Sequence, residues 1–271
     1  MKHLSVNNST AKNNTVSKQT ELHSSHQRRY ALAMTLLIAA VPCFGVDSFP
    51  SNDAVIDSDE TPEWRSNVYV TWASDYVYRG VSLTGSDPTW QGGADVAHRS
   101  GLFGGLWTSA IAFSPPIGPN TEHNVFAGYG RDFGMAWSGS VRLTHFDFRG
   151  GQVGPDNTFD QWQVDVQYNK ATTVRVYQAD NTYGMRFAST AVELQHVIPI
   201  ADNWLISGLF GQWDLEKLSG DHYNYVEFGG SWSTQHVNIA LQYHHADSRA
   251  RVVYQDAVKP GWLVSVTYRI F

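Results

Sequence analysis

The chain has 271 residues and a formal net charge of −6, which gives no basis for nucleic-acid binding. Only 16% of residues are charged, against about a quarter in soluble domains, while 13% are aromatic, with ten Trp and thirteen Tyr. Beyond the leader, no run approaches the about 20 apolar residues that a helical membrane span needs.

Residues 1–29 are polar and close on Arg28-Arg29; Tyr30 to Val41 is apolar, and Pro42-Cys43-Phe44-Gly45 follows. A basic n-region, a short h-region and a small exit residue predict a signal peptide over residues 1–45, with a long n-region and cleavage near Gly45. Pro42 argues against a lipoprotein site at Cys43, and Arg28-Arg29 lacks the consensus expected of twin-arginine export. The single Cys43 lies in this leader, so the mature chain is expected to carry no cysteine, as suits an oxidising compartment. Residues 46–63 are acidic and aperiodic, which predicts a periplasmic lead-in.

From Trp64 the apolar residues take up a period of two, the mark of strands with one apolar and one polar face. In the first strand Val68, Val70, Trp72, Tyr76 and Tyr78 share one parity, and Tyr69, Thr71, Ala73, Asp75 and Arg79 the other. A loop ending at Pro88 leads to Trp90, Ala94 and Val96 opposite Gln91, Asp95 and Arg99. A third strand carries Trp107 and Ile111, and a fourth covers His123–Gly130. Met135–Phe148 sets Trp137, Val141 and Leu143 against Ser138, Ser140, Arg142 and Thr144. Asp160–Tyr168 alternates most cleanly, Trp162, Val164, Val166 and Tyr168 against Gln161, Gln163, Asp165 and Gln167. Thr172–Ala179 opposes Val174 and Val176 to Arg175 and Tyr177; Thr190–Ile198 opposes Val192, Leu194 and Ile198 to Glu193 and Gln195. Trp204–Trp213 is apolar on both parities, so its faces stay open. Tyr223–Trp232 puts Val226, Phe228 and Trp232 opposite Tyr225, Glu227 and Ser231. Val237–His244 and Trp262–Phe271 complete twelve segments.

Their connections alternate in length: long around Gly85, Pro116, Gly154, Tyr183, Ser219 and Arg249, short at Ser100-Gly101, Asp132–Gly134, Lys170, Ala201–Asn203 and Thr234-Gln235. Short periplasmic turns, longer outer loops and an even strand number describe a transmembrane antiparallel up-and-down β-barrel of about 12 strands, over residues 64–271. Tryptophans on the apolar parity near strand ends fit the aromatic girdles of such barrels.

The stretch SDYVYRGVSLTGSDPTWQGGADVAHRSGLFGGLW carries a family signature in Ser74, Asp75, Tyr76, Arg79, Gly80, Pro88, Gln91, Gly92, Gly93, Asp95, Ser100, Gly101, Gly105 and Trp107. It resembles the opening of the Gly- and Trp-rich bacterial family of TorF-type porins; Thr89 departs from that pattern. The match covers about the first three strands, and the resemblance implies an outer-membrane barrel. The end of the chain resembles the outer-membrane assembly signal, although Phe271 lies on the polar parity and Tyr268 and Ile270 on the apolar one. The expected partners are therefore outer-membrane lipid and lipopolysaccharide, and the barrel-assembly machinery through Trp262–Phe271.

Expected pore-lining residues are Asp75, Arg79, Gln91, Asp95, Arg142, Asp165, Arg175, Glu193, Glu227 and Arg269. A barrel of this size leaves a narrow lumen, and charged rings there set ion preference. The expected function is a passive, narrow channel for small hydrophilic solutes or ions in a Gram-negative outer membrane. Alternatives are a barrel plugged by internal salt bridges, and a lipid-modifying enzyme. The enzyme would need Ser and His within reach on the lipid-facing side; His98, His145 and His196 lie there without an obvious outward Ser. No cofactor or catalytic residue is assigned. His244 and His245 point to opposite faces, so at most one could bind a metal, and Gly92-Gly93 lacks phosphate-loop spacing. These glycines are expected to make room for a neighbouring Trp or a bulge. Asp75 is expected almost opposite Gly93 and near Asp95, as part of a constriction.

Overall fold

The computed structural model describes residues 63–112, 118–151, 157–215 and 222–270. The expected leader, nearly all of the lead-in, Phe271 and the loop centres near Pro116, Gly154 and Ser219 lie outside these residues. Strands β1 (Trp64–Ala73), β4 (Thr89–His98), β5 (Leu102–Ala110), β6 (Thr121–Asp132), β7 (Trp137–Arg149), β8 (Thr158–Tyr168), β9 (Thr172–Ala179), β10 (Ser189–Ala201), β11 (Trp204–Asp214), β12 (His222–Ser233), β13 (Val237–Ala246) and β14 (Gly261–Arg269) form a closed antiparallel barrel. Each pairs with its neighbours in sequence and β14 returns to β1, which leaves no edge. Two further strands, β2 (Val77–Tyr78) and β3 (Val81–Ser82), pair only with each other.

Period two becomes inside and outside. On β8 the side chains of Trp162, Val164 and Val166 are exposed, whereas Gln161, Gln163 and Asp165 are buried. The outer face repeats this on β10 with Val192, Leu194 and Ile198, and on β14 with Trp262, Val264 and Val266. On β11, Trp204, Ile206 and Phe210 face out while Leu209 and Trp213 face in, which settles the strand that was apolar on both parities. Leu209 and Trp213 are apolar because they pack within the buried luminal cluster.

Two inward glycines sit beneath large rings on the next strand. Gly93 pairs with Tyr69, and a Cβ on Gly93 would come within 2.5 Å of that ring. Gly211 pairs with Tyr225 in the same way. Gly93 thus makes room for a tyrosine and not for a tryptophan, and no bulge interrupts the β1–β4 register there.

The first strand is shorter than its alternation predicts. It ends at Ala73, and residues from Ser74 onward fold into the lumen as the β2–β3 hairpin. Tyr76, Val77, Val81 and Leu83 are all buried there. The hairpin closes on Arg79-Gly80, both at positive φ (50° and 76°), the backbone of a two-residue type I′ turn. A Cβ on Gly80 would meet the Ala246 Cβ at 2.7 Å, so the tip is pressed against β13.

One end of the barrel carries the short turns, including Asn169-Lys170, again at positive φ (50° and 57°). The other, the loop end, carries a 3₁₀ turn (Thr182–Gly184) and helix α1 (Ala250–Tyr254). These bring Tyr183 and Tyr254 into a buried cluster with Phe146, Phe148, Phe159, Trp213 and Tyr223. Phe146 and Phe159 stack at 4.5 Å, and Tyr183 meets Phe159 edge-on at 5.5 Å.

Candidate functional site in the lumen

Strand register builds a charged row across one wall. Asp165 on β8 lies opposite Arg175 on β9, which lies opposite Glu193 on β10. The row continues through Gly211 to Tyr225 on β12. Arg175 Nε is 3.8 Å from Asp165 Oδ1, and its Nη1 is 3.9 Å from Glu193 Oε2. Glu193 accepts hydrogen bonds from the hydroxyls of Tyr177 (3.0 Å) and Tyr225 (2.6 Å). Gln163 donates to both oxygens of Asp165, and Arg142 donates to Gln163 Oε1. Glu227 shares the inward face of β12 two residues beyond Tyr225.

Arg79, at the hairpin tip, completes this group from the opposite side. Its Cζ stands 4.4 Å from the centre of the Tyr78 ring, 4.5 Å from Tyr177 and 4.4 Å from Trp213. Its Nε is 3.8 Å from Glu193 Oε1. The side chain is 2% exposed, and its nitrogens form no hydrogen bond. Burying a guanidinium this way is costly unless it is paired; desolvated cation–π contacts contribute about 2 kcal/mol each, and the carboxylate supplies the opposite charge.

Asp75 does not lie opposite Gly93. The partner of Gly93 is Tyr69, and Asp95 pairs with Asn67, whose amide donates to it at 3.0 Å. Asp75 stands at the base of the hairpin, where Ser82 Oγ and Thr84 Oγ1 each donate to Oδ1 at 2.7 Å. The proposed Asp75–Asp95 constriction therefore has no geometric basis. The physical reason is that the chain leaves the wall after Ala73, so its alternation no longer reports a barrel face.

The opposite wall is polar and mostly neutral. Asn238, Thr267, Thr71, Gln91 and Ser109 follow one another through the register and end at Glu122. Glu122 is completely buried and accepts from Asn124 Nδ2 (2.8 Å) and the Tyr76 hydroxyl (3.2 Å). Sequence reasoning missed Glu122, although its alternation with His123 and Val125 was the available signal. It also missed Trp107 and Trp213, both 2% exposed on the luminal side.

Burial is uneven in the lumen. Asp165, Arg175, Glu193, Arg79 and the aromatic cluster are buried. Asp95, Arg142, Glu227 and Arg269, on inward positions, retain solvent exposure. Burial also pushes the Tyr183 phenol, in the loop between β9 and β10, well above its ordinary value, so it stays neutral. His244 is buried on the inward face of β13. Among the described residues no cluster of three or more His, Cys, Asp or Glu is placed to hold a metal.

The outward His98 does have a serine neighbour. Its Nδ1 is 2.8 Å from Ser100 Oγ and its Nε2 is 3.1 Å from Glu63. The N–H of Ser100 reaches the same Nδ1 at 3.2 Å, so the contact closes the exposed turn between β4 and β5.

A family model described as "Bacterial protein of unknown function (Gcw_chp)" matches residues 59–269. No curated protein matches the sequence. Among solved structures, the NanC porin is similar at 8% identity and a TM-score of 0.51, over 74% of this chain and 98% of that one. The KdgM porin matches at 8% identity and a TM-score of 0.47, over 75% and 98% of the two chains. Salmonella typhi OmpF in complex with daunomycin matches at 9% identity and a TM-score of 0.42, over 76% and 97%. At such identities the NanC likeness shows the fold, a porin-like barrel.

Proposed function

The chain belongs to the Gcw_chp family, and from that premise we propose an outer-membrane porin-like barrel that passes small hydrophilic solutes or ions through a narrow lumen. One observation carries the reading: the closed barrel is apolar and aromatic outside, polar and charged inside. A soluble barrel has no reason to expose Trp90, Trp162, Trp204 and Trp262 on one surface, whereas a bilayer favours aromatic residues at its interfaces. The loop end then faces outward and the short turns and both termini face the periplasm. Export by the leader and assembly through the last strand belong to the same proposal, as does the TorF-type resemblance.

The buried hairpin favours a second reading, a barrel whose lumen is occluded. Single-channel recording in planar bilayers separates the two. Conductance steps from purified protein support the pore, persistent silence supports the occluded barrel, and lipid turnover by the same preparation would replace both with an enzyme.

A further inference from the structure

Arg79 is bound by the barrel wall as a ligand would be. An arginine placed to brace a turn would direct its five donors at carbonyls or carboxylates, yet this buried guanidinium makes no hydrogen bond. It lies instead against the faces of Tyr177 and Trp213, with Glu193 at 3.8 Å. These groups belong to β9, β10 and β11, not to the hairpin, and each has partners on the wall besides the contact of Trp213 with Tyr78 of the hairpin at 5.6 Å. Glu193 is fixed by the Tyr177 and Tyr225 hydroxyls, and Trp213 packs 5.9 Å from Tyr223 and 6.2 Å from Tyr254. Aromatic faces around a carboxylate recognise organic cations by charge and shape.

We propose that Tyr177, Trp213 and Glu193 form a binding site for small guanidinium-type cations, which Arg79 occupies as a built-in stand-in. The stand-in sits on a short ladder, since β2 and β3 share two residue pairs, Val77 with Ser82 and Tyr78 with Val81, while Tyr76, Val81 and Leu83 anchor the hairpin in the core. Withdrawing the tip leaves Asp165 and Glu193 facing Arg175, so an incoming cation replaces the charge that Arg79 removes. As a step in passage this rests on the porin reading; as a binding site it does not.

Arg79→Gly tests the site. Glycine suits the positive φ at this position, so the substitution empties the cage without straining the turn. The purified variant in detergent is titrated calorimetrically with ethylguanidinium and with its neutral isostere ethylurea. Ethylguanidinium is expected to bind about tenfold tighter than ethylurea, to leave wild type untitrated at the same concentrations, and to lose its preference when Glu193→Gln is added. Equal binding of the two probes, or binding of neither, overturns the proposal. If Arg79→Gly does not assemble, refolding is repeated with each probe: a higher yield of folded barrel with ethylguanidinium alone supports the site, and equal yields overturn it. Bilayer recordings keep the two proposals apart. Selective binding without conductance steps supports the site while removing the porin reading; steps without probe preference overturn the site and leave the porin reading standing.

Discussion

Val164 and Gln167 lie on the same strand and face opposite media, Val164 outward and Gln167 into the solvated part of the lumen. In a bilayer, Val164→Arg should cost about 2–4 kcal/mol near the midplane, while Gln167→Arg should be tolerated. Urea-unfolding midpoints in lipid vesicles would check this; equal costs would mean that the outer face does not meet lipid. The same contrast does not hold at Gln163, which is buried between Arg142 and Asp165. A second residue, Asp75, shows how a face can mislead. Read as a wall residue, its neutralisation should shift ion preference toward anions. Placed at the hairpin base, it anchors two hydroxyls. Asp75→Ala leaves both without their acceptor, a loss of about 1–3 kcal/mol that falls on the hairpin and not on the barrel. The expected outcome is a folded barrel with raised conductance and unchanged selectivity. A shift in reversal potential toward anions without a rise in conductance would return Asp75 to the pore lining.

Among elements, the β2–β3 hairpin decides what the lumen can do. Its tip has no room for a side chain at Gly80, where a Cβ would press on Ala246, and the positive φ there disfavours any residue but glycine. Gly80→Ala should therefore displace the tip from the cage while the twelve wall strands stay paired. Gel mobility of unheated protein should be unchanged and conductance should rise. Unchanged conductance would show that the tip is not the obstruction. The hairpin had a signal in the sequence: Arg79-Gly80 between Tyr78 and Val81 is a two-residue turn flanked by β-formers. Alternation from Val68 to Arg79 masks that signal, because period two continues through a hairpin strand as well as through a wall strand.

For the whole molecule, a closed sheet with an apolar exterior has one stable setting in the proposed reading, a bilayer. The mature protein should fractionate with outer membranes and migrate differently on a gel when unheated; recovery as a soluble periplasmic protein would end that reading. The number of strands, their order, the inward and outward parities of β8, β9, β10, β12 and β14, and the alternation of short and long connections were all legible in the sequence. Each follows from local rules: pleating puts successive side chains on opposite faces, and turn residues mark where the chain reverses. Register along the walls, the inner face of Trp213, the buried Glu122 and the capture of Arg79 were not legible. Each depends on which residues meet across the lumen, between strands far apart in sequence and a hairpin that leaves the wall. No period along the chain encodes such a meeting, because it is set by closure of the barrel and by the volume left inside it.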